Sequence, residues 1–266
     1  MEFSVLADAF SKMESTTKRL ELTQHLVELF EKTPQDVISR IVYLLQGKLR
    51  PDFEGIELGV AEKLAIRAIA KSSGSDNAEK KIEEEYRKGG DLGQAASKIL
   101  EQKEQTTFMV QDITVERVYE NLFTIAKLVG SKTQDRKMKY ISGLLNDANP
   151  IEAKFILKIL LGTLRLGIAE NTVMDALAIT FTGNKENRKI LEHAYNVSSD
   201  LGKVAEAIAS KGLQGIEKFE INLFNPIRPM LADRVKSEYE AMEKLGNAFA
   251  AEYKLDGERI QLHIEG

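Results

Sequence analysis

Two stretches of this chain are near copies, and each reads as a turn that opens a helix. Leu58-Gly-Val-Ala-Glu-Lys-Leu-Ala-Ile-Arg-Ala-Ile-Ala70 aligns with Leu166-Gly-Ile-Ala-Glu-Asn-Thr-Val-Met-Asp-Ala-Leu-Ala178, with Leu, Gly, Ala, Glu and two further Ala identical. Upstream, Pro34 and Leu44-Leu45 align with Pro150 and Leu160-Leu161. Each copy reads as helix, glycine-containing turn, helix, and the first carries an extra loop from Arg50 to Glu57. A lone Leu-Gly-x-Ala-Glu is a generic helix entry. The prolines at matching offsets argue for duplication instead. Two such units predict a helical domain with approximate internal two-fold symmetry, not a solenoid.

The rest of residues 1–222 fits that expectation. Phe3, Leu6, Phe10 and Met13 recur at helical spacing, as do Leu22, Leu26, Leu29 and Phe30. Thr33-Pro34-Gln35-Asp36 reads as a helix start, with Thr as N-cap and Pro in the first turn. That helix runs to Gly47, and another covers Val60 to Lys71. Ala78 to Asp91 has little apolar content and predicts an exposed helix, marginal alone. Leu92 to Leu100 is helical, and Gln102 to Ile113 is a loop. Thr114 caps a helix that stops at Gly130, and Asn149-Pro150-Ile151-Glu152 predicts a capping box. Further helices cover 169–181, 185–195 and 200–210.

Composition narrows the class. The 266 residues are 43% hydrophobic and 29% charged, with a formal net charge of −4. Cysteine is absent, which removes disulfide frameworks and thiolate zinc sites and fits a reducing cytoplasm. No apolar run reaches the length of a membrane span, and the N-terminus lacks a signal-peptide pattern. His25, His193 and His263 have no ligand spacing. A nucleic-acid role therefore needs a local basic face. From Lys132 to Gly167, the cations Lys132, Arg136, Lys137, Lys139, Lys154, Lys158 and Arg165 outnumber Asp135, Asp147 and Glu152. This stretch ends in the second turn of the repeat, where Gly162 and Gly167 flank Arg165. Glycines let a backbone approach closely, and helix N-termini offer free N–H groups to phosphate. A solvated helical face would show the same charges.

Near Leu223 the character changes. Asn225-Pro-Ile-Arg-Pro-Met-Leu-Ala232 reads as an extended connector, followed by a helix from Val235 to Leu245. We place a domain boundary there, with a helical domain over 1–222 and a linker and the start of a second, α+β domain over 223–266. Phe249, Ala251, Tyr253 and Leu255 share one strand parity, Glu252 and Lys254 the other, and Ile260, Leu262 and Ile264 alternate beyond Asp256-Gly257. The Asp-Gly pair predicts a type I′ hairpin that sets Lys254 opposite Arg259. Facing cations repel, which suits an anion between them and a lysine held toward its neutral, nucleophilic form. A surface hairpin would read the same on these residues alone.

Lys254-Leu-Asp256-Gly257-Glu-Arg259 resembles the first motif of the nucleotidyltransferase superfamily, shared by ATP-dependent DNA ligases, RNA ligases and capping enzymes. Leu44 to Lys63, Leu160 to Ala178 and Arg228 to Ala232 are similar to the N-terminal helical DNA-binding domain and connector of archaeal and eukaryotic replicative DNA ligases. The other two groups lack that domain. The resemblance covers essentially the whole chain and implies a mainly α fold that seals nicks in replication, repair and recombination. It implies ATP and a divalent cation such as Mg²⁺ as cofactors, with Lys254 as the catalytic nucleophile that becomes lysyl-AMP. Glu252 would contact adenine, and Arg259 the ribose or a phosphate. Gly162, Thr163, Arg165, Gly167 and Ala169 would bind DNA in the minor groove opposite the nick. Some relatives carry a basic residue where this chain has Thr163. Gln105, Phe108 and Met109 sit where archaeal relatives carry a segment that docks on the sliding clamp. The expected partners are nicked double-stranded DNA and the clamp, with no membrane, for a monomer in the cytoplasm at the nucleoid. No metal ligand is expected within this chain. It reads as a fragment that ends soon after Lys254 and is inactive alone. The alternative is a non-catalytic DNA-binding or clamp-docking module.

Overall fold

A computed structural model describes residues 1–75, 77–101, 111–130, 133–229, 234–246, 248–253, 255–258 and 260–265. The fold is mainly helical. A first set of helices comprises α1 (Phe3–Glu14), α2 (Arg19–Glu31), α3 (Ile38–Leu45), α4 (Glu62–Ser73), α5 (Ala78–Gly89) and α6 (Leu92–Glu101). A second comprises α7 (Val115–Lys127), α8 (Thr133–Asp147), α9 (Pro150–Leu160), α10 (Glu170–Thr182), α11 (Arg188–Ser198) and α12 (Leu201–Lys211). The short α13 (Leu213–Ile216) and the exposed α14 (Glu238–Leu245) follow.

The two sets correspond helix for helix and are interlaced. α2 packs on α10 as α8 packs on α4, α3 on α12 as α9 on α6, and α1 on α9 as α7 on α3. The pseudo-axis passes the one isolated bridge among the described residues, between Glu2 and Thr114. There Phe3 N–H donates to Ile113 O at 2.8 Å and Val115 N–H donates to Met1 O at 2.9 Å. The duplication is thus larger than the helix-turn-helix seen in sequence, and neither half can bury its apolar faces without the other. Phe3, Leu6, Phe10 and Met13 are all buried, each worth roughly 1.5–3 kcal/mol. Phe10 meets Phe155 edge-on with ring centroids 5.3 Å apart, joining the halves.

One contact recurs in both halves. Asp91 at the start of α6 accepts the Gln94 N–H at 3.0 Å, and Asp200 at the start of α12 accepts that of Lys203 at 3.0 Å. Each carboxylate also takes the residue that closes the partner helix. Lys158 Nζ lies 2.7 Å from Asp91, and the Tyr43 hydroxyl donates to Asp200 at 2.7 Å. Burial alone would lower the Lys158 amine, but its bonds to Asp91 and Glu14 outweigh this and its pKa rises. Two residues into each helix, Gly93 and Gly202 make room. A Cβ on Gly93 would stand 2.7 Å from Lys154 O, and one on Gly202 2.3 Å from Tyr43 Cζ. The signal in the sequence is Asp-Leu-Gly at 91–93 and again at 200–202.

Several expectations are corrected. Thr33 does not cap α3; its hydroxyl donates back to Leu29 O at 2.8 Å, closing α2, and α3 begins only at Ile38. The capping box at Asn149 and the Thr114 cap are present. The helix ends pair Tyr43–Gly47 with Lys158–Gly162, so Leu44-Leu45 matches Ile159-Leu160 and not Leu160-Leu161. α8 and α13 had no assignment from sequence, and α14 begins at Glu238 instead of Val235. The hairpin around Asp256-Gly257 is not formed among the described residues. Asp256 lacks the positive φ that a type I′ turn needs at both positions, and Gly257 has φ 154°. Tyr253 is 94% exposed, and Leu255, Ile260, Leu262 and Ile264 are exposed too. A two-stranded hairpin with nothing on its apolar face is marginal.

Candidate nucleic-acid interface

The repeated turns lie side by side. Gly47 follows the end of α3 and Gly162 that of α9, with φ 67° and 66°. In each, the next residue donates back into the last turn: Lys48 N–H to Tyr43 O at 2.9 Å, Thr163 N–H to Lys158 O at 2.9 Å. This is the left-handed closure that glycine makes cheap. Gly59 and Gly167, at φ 51° and 66°, then lead into α4 and α10. A Cβ on Gly47 would stand 3.9 Å from the Leu164 Cβ. A cleft of about 350 Å³ runs between Gly47–Val60 of the first turn and Ile159–Gly162 of the second. Next to Gly162 and Gly167, the direction a Cβ would take is open space.

Both helices leaving the turns begin without a side-chain cap. Their N-cap residues are Ala61 and Ala169, and neither supplies an acceptor. Alanine is among the poorest N-caps, so first-turn N–H groups stay available to an outside acceptor. Glu62 and Glu170 each occupy the first position of their helix. Each carboxylate accepts a tyrosine hydroxyl, from Tyr86 at 2.8 Å and from Tyr195 at 2.5 Å.

The cations on this face are fewer than the sequence suggests. Lys154 and Lys158 both bond Glu14, at 2.6 and 2.5 Å, and Lys158 is buried, so neither faces a ligand. Their spacing placed them on the helix side that packs on α1 and α6. Lys48 pairs with Asp52 at 2.7 Å, and Arg50 lies over the Phe123 ring. Arg165 is exposed and has no ion pair among the described residues. Lys137 of α8 reaches Gly59 O at 3.4 Å, which brings α8 to the first turn. Arg136 and Lys139 line a cleft between α7 and α8 with Arg117. Gly162, Thr163, Arg165, Gly167 and Ala169 therefore form one exposed strip, with Leu164 and Leu166 turned inward.

Residues 2–178 match the family described as DNA ligase N terminus. The chain belongs to the DNA ligase family. Residues 229–266 match the ATP dependent DNA ligase domain. A DNA ligase of Nitrosopumilus maritimus is 82% identical over the whole chain, and one of Cenarchaeum symbiosum is 66% identical over the whole chain. DNA ligase 2 of Thermofilum pendens is 46% identical, again across the whole chain. The chain spans 45% of the length of each of these relatives.

In this DNA ligase chain, Glu252 is exposed beside the motif. Lys254 and Arg259 lie outside the described residues, as do Gln105, Phe108 and Met109. Among the described residues no group of three His, Cys, Asp or Glu is arranged to hold a metal ion. No helix among them is long and apolar enough to cross a membrane. Sequence reasoning missed the Glu–Tyr pairs at the helix starts. Their signal is a tyrosine in the second helix after each turn, Tyr86 in α5 and Tyr195 in α11.

Proposed function

We propose that this chain is the DNA-gripping and nucleophile-bearing part of an ATP-dependent DNA ligase. The observation that carries this is the pair of abutting glycine turns, each opening an uncapped helix, with Arg165 exposed on the second and in no ion pair among the described residues. Two helix N-termini and a backbone free of side chains suit two phosphate rows across a minor groove. Contacts of that kind ask little of base sequence, as sealing nicks anywhere requires. Gly162, Thr163, Arg165, Gly167 and Ala169 form this strip. Residues 1–222 are the DNA-binding domain, and 223–266 link to and begin the adenylation domain.

In the reaction, the Lys254 amine attacks the α-phosphorus of ATP, the bond to pyrophosphate breaks, and lysyl-AMP forms. AMP passes to the 5′-phosphate at the nick, and the 3′-hydroxyl then displaces it. The Glu252 carboxylate is exposed and able to accept from the adenine amino group. Arg259 holds ribose or phosphate. A divalent cation, Mg²⁺ in the simplest case, neutralises charge on the phosphates when bound. The described residues offer no cluster for it. The partner is nicked double-stranded DNA, engaged by a monomer at the nucleoid. Nick sealing tests this: the full-length protein joins a nicked duplex when given ATP and Mg²⁺. No joined product under those conditions contradicts catalysis and leaves a DNA-binding module.

Gln105, Phe108 and Met109 form a docking segment for the sliding clamp, in which Met109 fills an apolar pocket. Gln105→Ala with Phe108→Ala is expected to weaken clamp binding at least about tenfold, since anchor residues carry most of such an interface. Unchanged affinity in a calorimetric titration would remove this proposal.

A further inference from the structure

We propose that Arg228, with Glu170 and Tyr195, is a joint that sets where the nucleotidyltransfer motif stands relative to the DNA-gripping turn. Arg228 is thus a positioning residue for the DNA-dependent steps. The inference rests on the ligase reading above and deepens it.

The internal symmetry isolates the feature. At the first turn, Glu62 accepts from Tyr86 at 2.8 Å, and no third side chain among the described residues joins that pair. At the second, Glu170 accepts from Tyr195 at 2.5 Å, and a third group enters. Arg228 Nη2 donates to Glu170 Oε2 at 2.7 Å and Nη1 to Oε1 at 3.3 Å, the two-pronged pairing that fixes a guanidinium in plane. The guanidinium also lies over the Tyr195 ring, 4.1 Å from its centroid, and donates to the Tyr195 hydroxyl. Glu170 directly follows Ala169, the last residue of the DNA strip, so the joint is seated on the turn itself.

Arg228 belongs to the connector, and the connector is held on two sides. Toward the helices, Arg228 N–H donates to Asn196 O at 2.8 Å, and Ser199 Oγ donates to Pro226 O at 2.6 Å. Toward the motif, Ile227 N–H donates to Gln261 Oε1 at 2.9 Å, and Gln261 Nε2 donates back to Ile227 O. Phe224 N–H donates to His263 Nδ1 at 3.2 Å. Gln261 and His263 lie on the segment that follows the Lys254 motif. A short chain of bonds therefore runs from that segment, through Ile227 and Arg228, to the first residue of α10. The first turn closes the same cleft, where Gln46, Lys48 and Asp52 face Tyr195, Arg228 and Gln261. Burial and then Glu170 push the Tyr195 hydroxyl well above its ordinary range, so it stays a donor.

The test uses the full-length ligase with Arg228→Gln, Glu170→Arg, and the exchanged pair Glu170→Arg with Arg228→Glu. Self-adenylation with ATP in the absence of DNA is expected to stay at the wild-type rate in Arg228→Gln, because it needs no alignment on a duplex. At saturating nicked duplex, the rate of AMP transfer and sealing is expected to fall about tenfold, since small misplacements cost that much or more. The concentration of nick giving half-maximal rate is expected to stay within about twofold, because catalysis depends on alignment while the strip itself is untouched. The exchanged pair is expected to recover most of the loss. Sealing at the wild-type rate in Arg228→Gln overturns the joint, as does an equal fall in DNA-free adenylation or an exchanged pair no better than the single variants. A wild-type protein that seals no nick would instead overturn the ligase reading.

Discussion

Gly202→Ala is expected to lower the stability of the helical region by about 2–4 kcal/mol, a drop in Tm of roughly 5–15 °C. In an ordinary helix the change would help, because alanine exceeds glycine in helix propensity by about 1 kcal/mol. Here the added carbon would stand 2.3 Å from Cζ, 2.5 Å from Cε1 and 2.6 Å from the hydroxyl of Tyr43. Tyr43 is buried and its hydroxyl is bound to Asp200. The ring must move, and Asp200 then loses a bond worth about 1.5–3 kcal/mol to a charged group. Overpacking adds its own cost of about 1–3 kcal/mol. Together these outweigh the propensity gain. Gly93→Ala is expected to act in the same direction, since its Cβ would meet the Lys154 carbonyl. Gly143→Ala is the control: it lies within α8 with nothing within 4 Å of a Cβ, so Tm should hold or rise slightly. Thermal unfolding followed by circular dichroism decides the matter. An unchanged or raised Tm in Gly202→Ala would mean that the interlaced helices are not packed as described.

Lys254→Ala is expected to abolish covalent labelling of the full-length protein by α-labelled ATP, a loss of about 10³-fold or more, as when a covalent nucleophile is removed. Alanine has no group that could take its place. Residues 1–266 alone are expected to label only weakly. The segments flanking Lys254 are exposed, with Tyr253 94% and Leu255 84% accessible, so the described residues beside it are not enclosed. A desolvated, preorganised site is what makes such a lysine reactive. Strong labelling of residues 1–266 that disappears in Lys254→Ala would show that the motif needs no further enclosure. Labelling that persists in the full-length Lys254→Ala protein would place the nucleophile elsewhere.

The helical half was legible because its signals are local. Amphipathic spacing placed α1 and α2, and the Asn149 capping box started α9 where expected. The turns were legible because a left-handed closure leaves a glycine in the sequence, as at Gly47, Gly162 and Gly167. What failed depended on distant partners. Lys154 and Lys158 counted as surface charge until α1 brought Glu14 against them. Thr33 resembles an N-cap, yet the nearest acceptor for its hydroxyl lies in the helix before it. α8 was missed because Thr133–Asp147 carries few apolar residues and is stabilised by packing on α4. The full extent of the two-fold was hidden because the paired sites diverged, Lys158 in one half answering Tyr43 in the other. The Arg228 joint links residues far apart in sequence, and no spacing rule exposes it.

The central claim is that the paired turns grip duplex DNA, and it is tested most directly by binding of the 266-residue chain to nicked and intact duplex across a salt series. The account predicts binding that weakens with salt. Arg165→Ala is expected to lower affinity by about 5- to 30-fold and to reduce the salt slope by roughly one, with Tm unchanged because Arg165 is exposed and has no ion pair among the described residues. No binding to either duplex, or wild-type affinity and slope in Arg165→Ala, would contradict it.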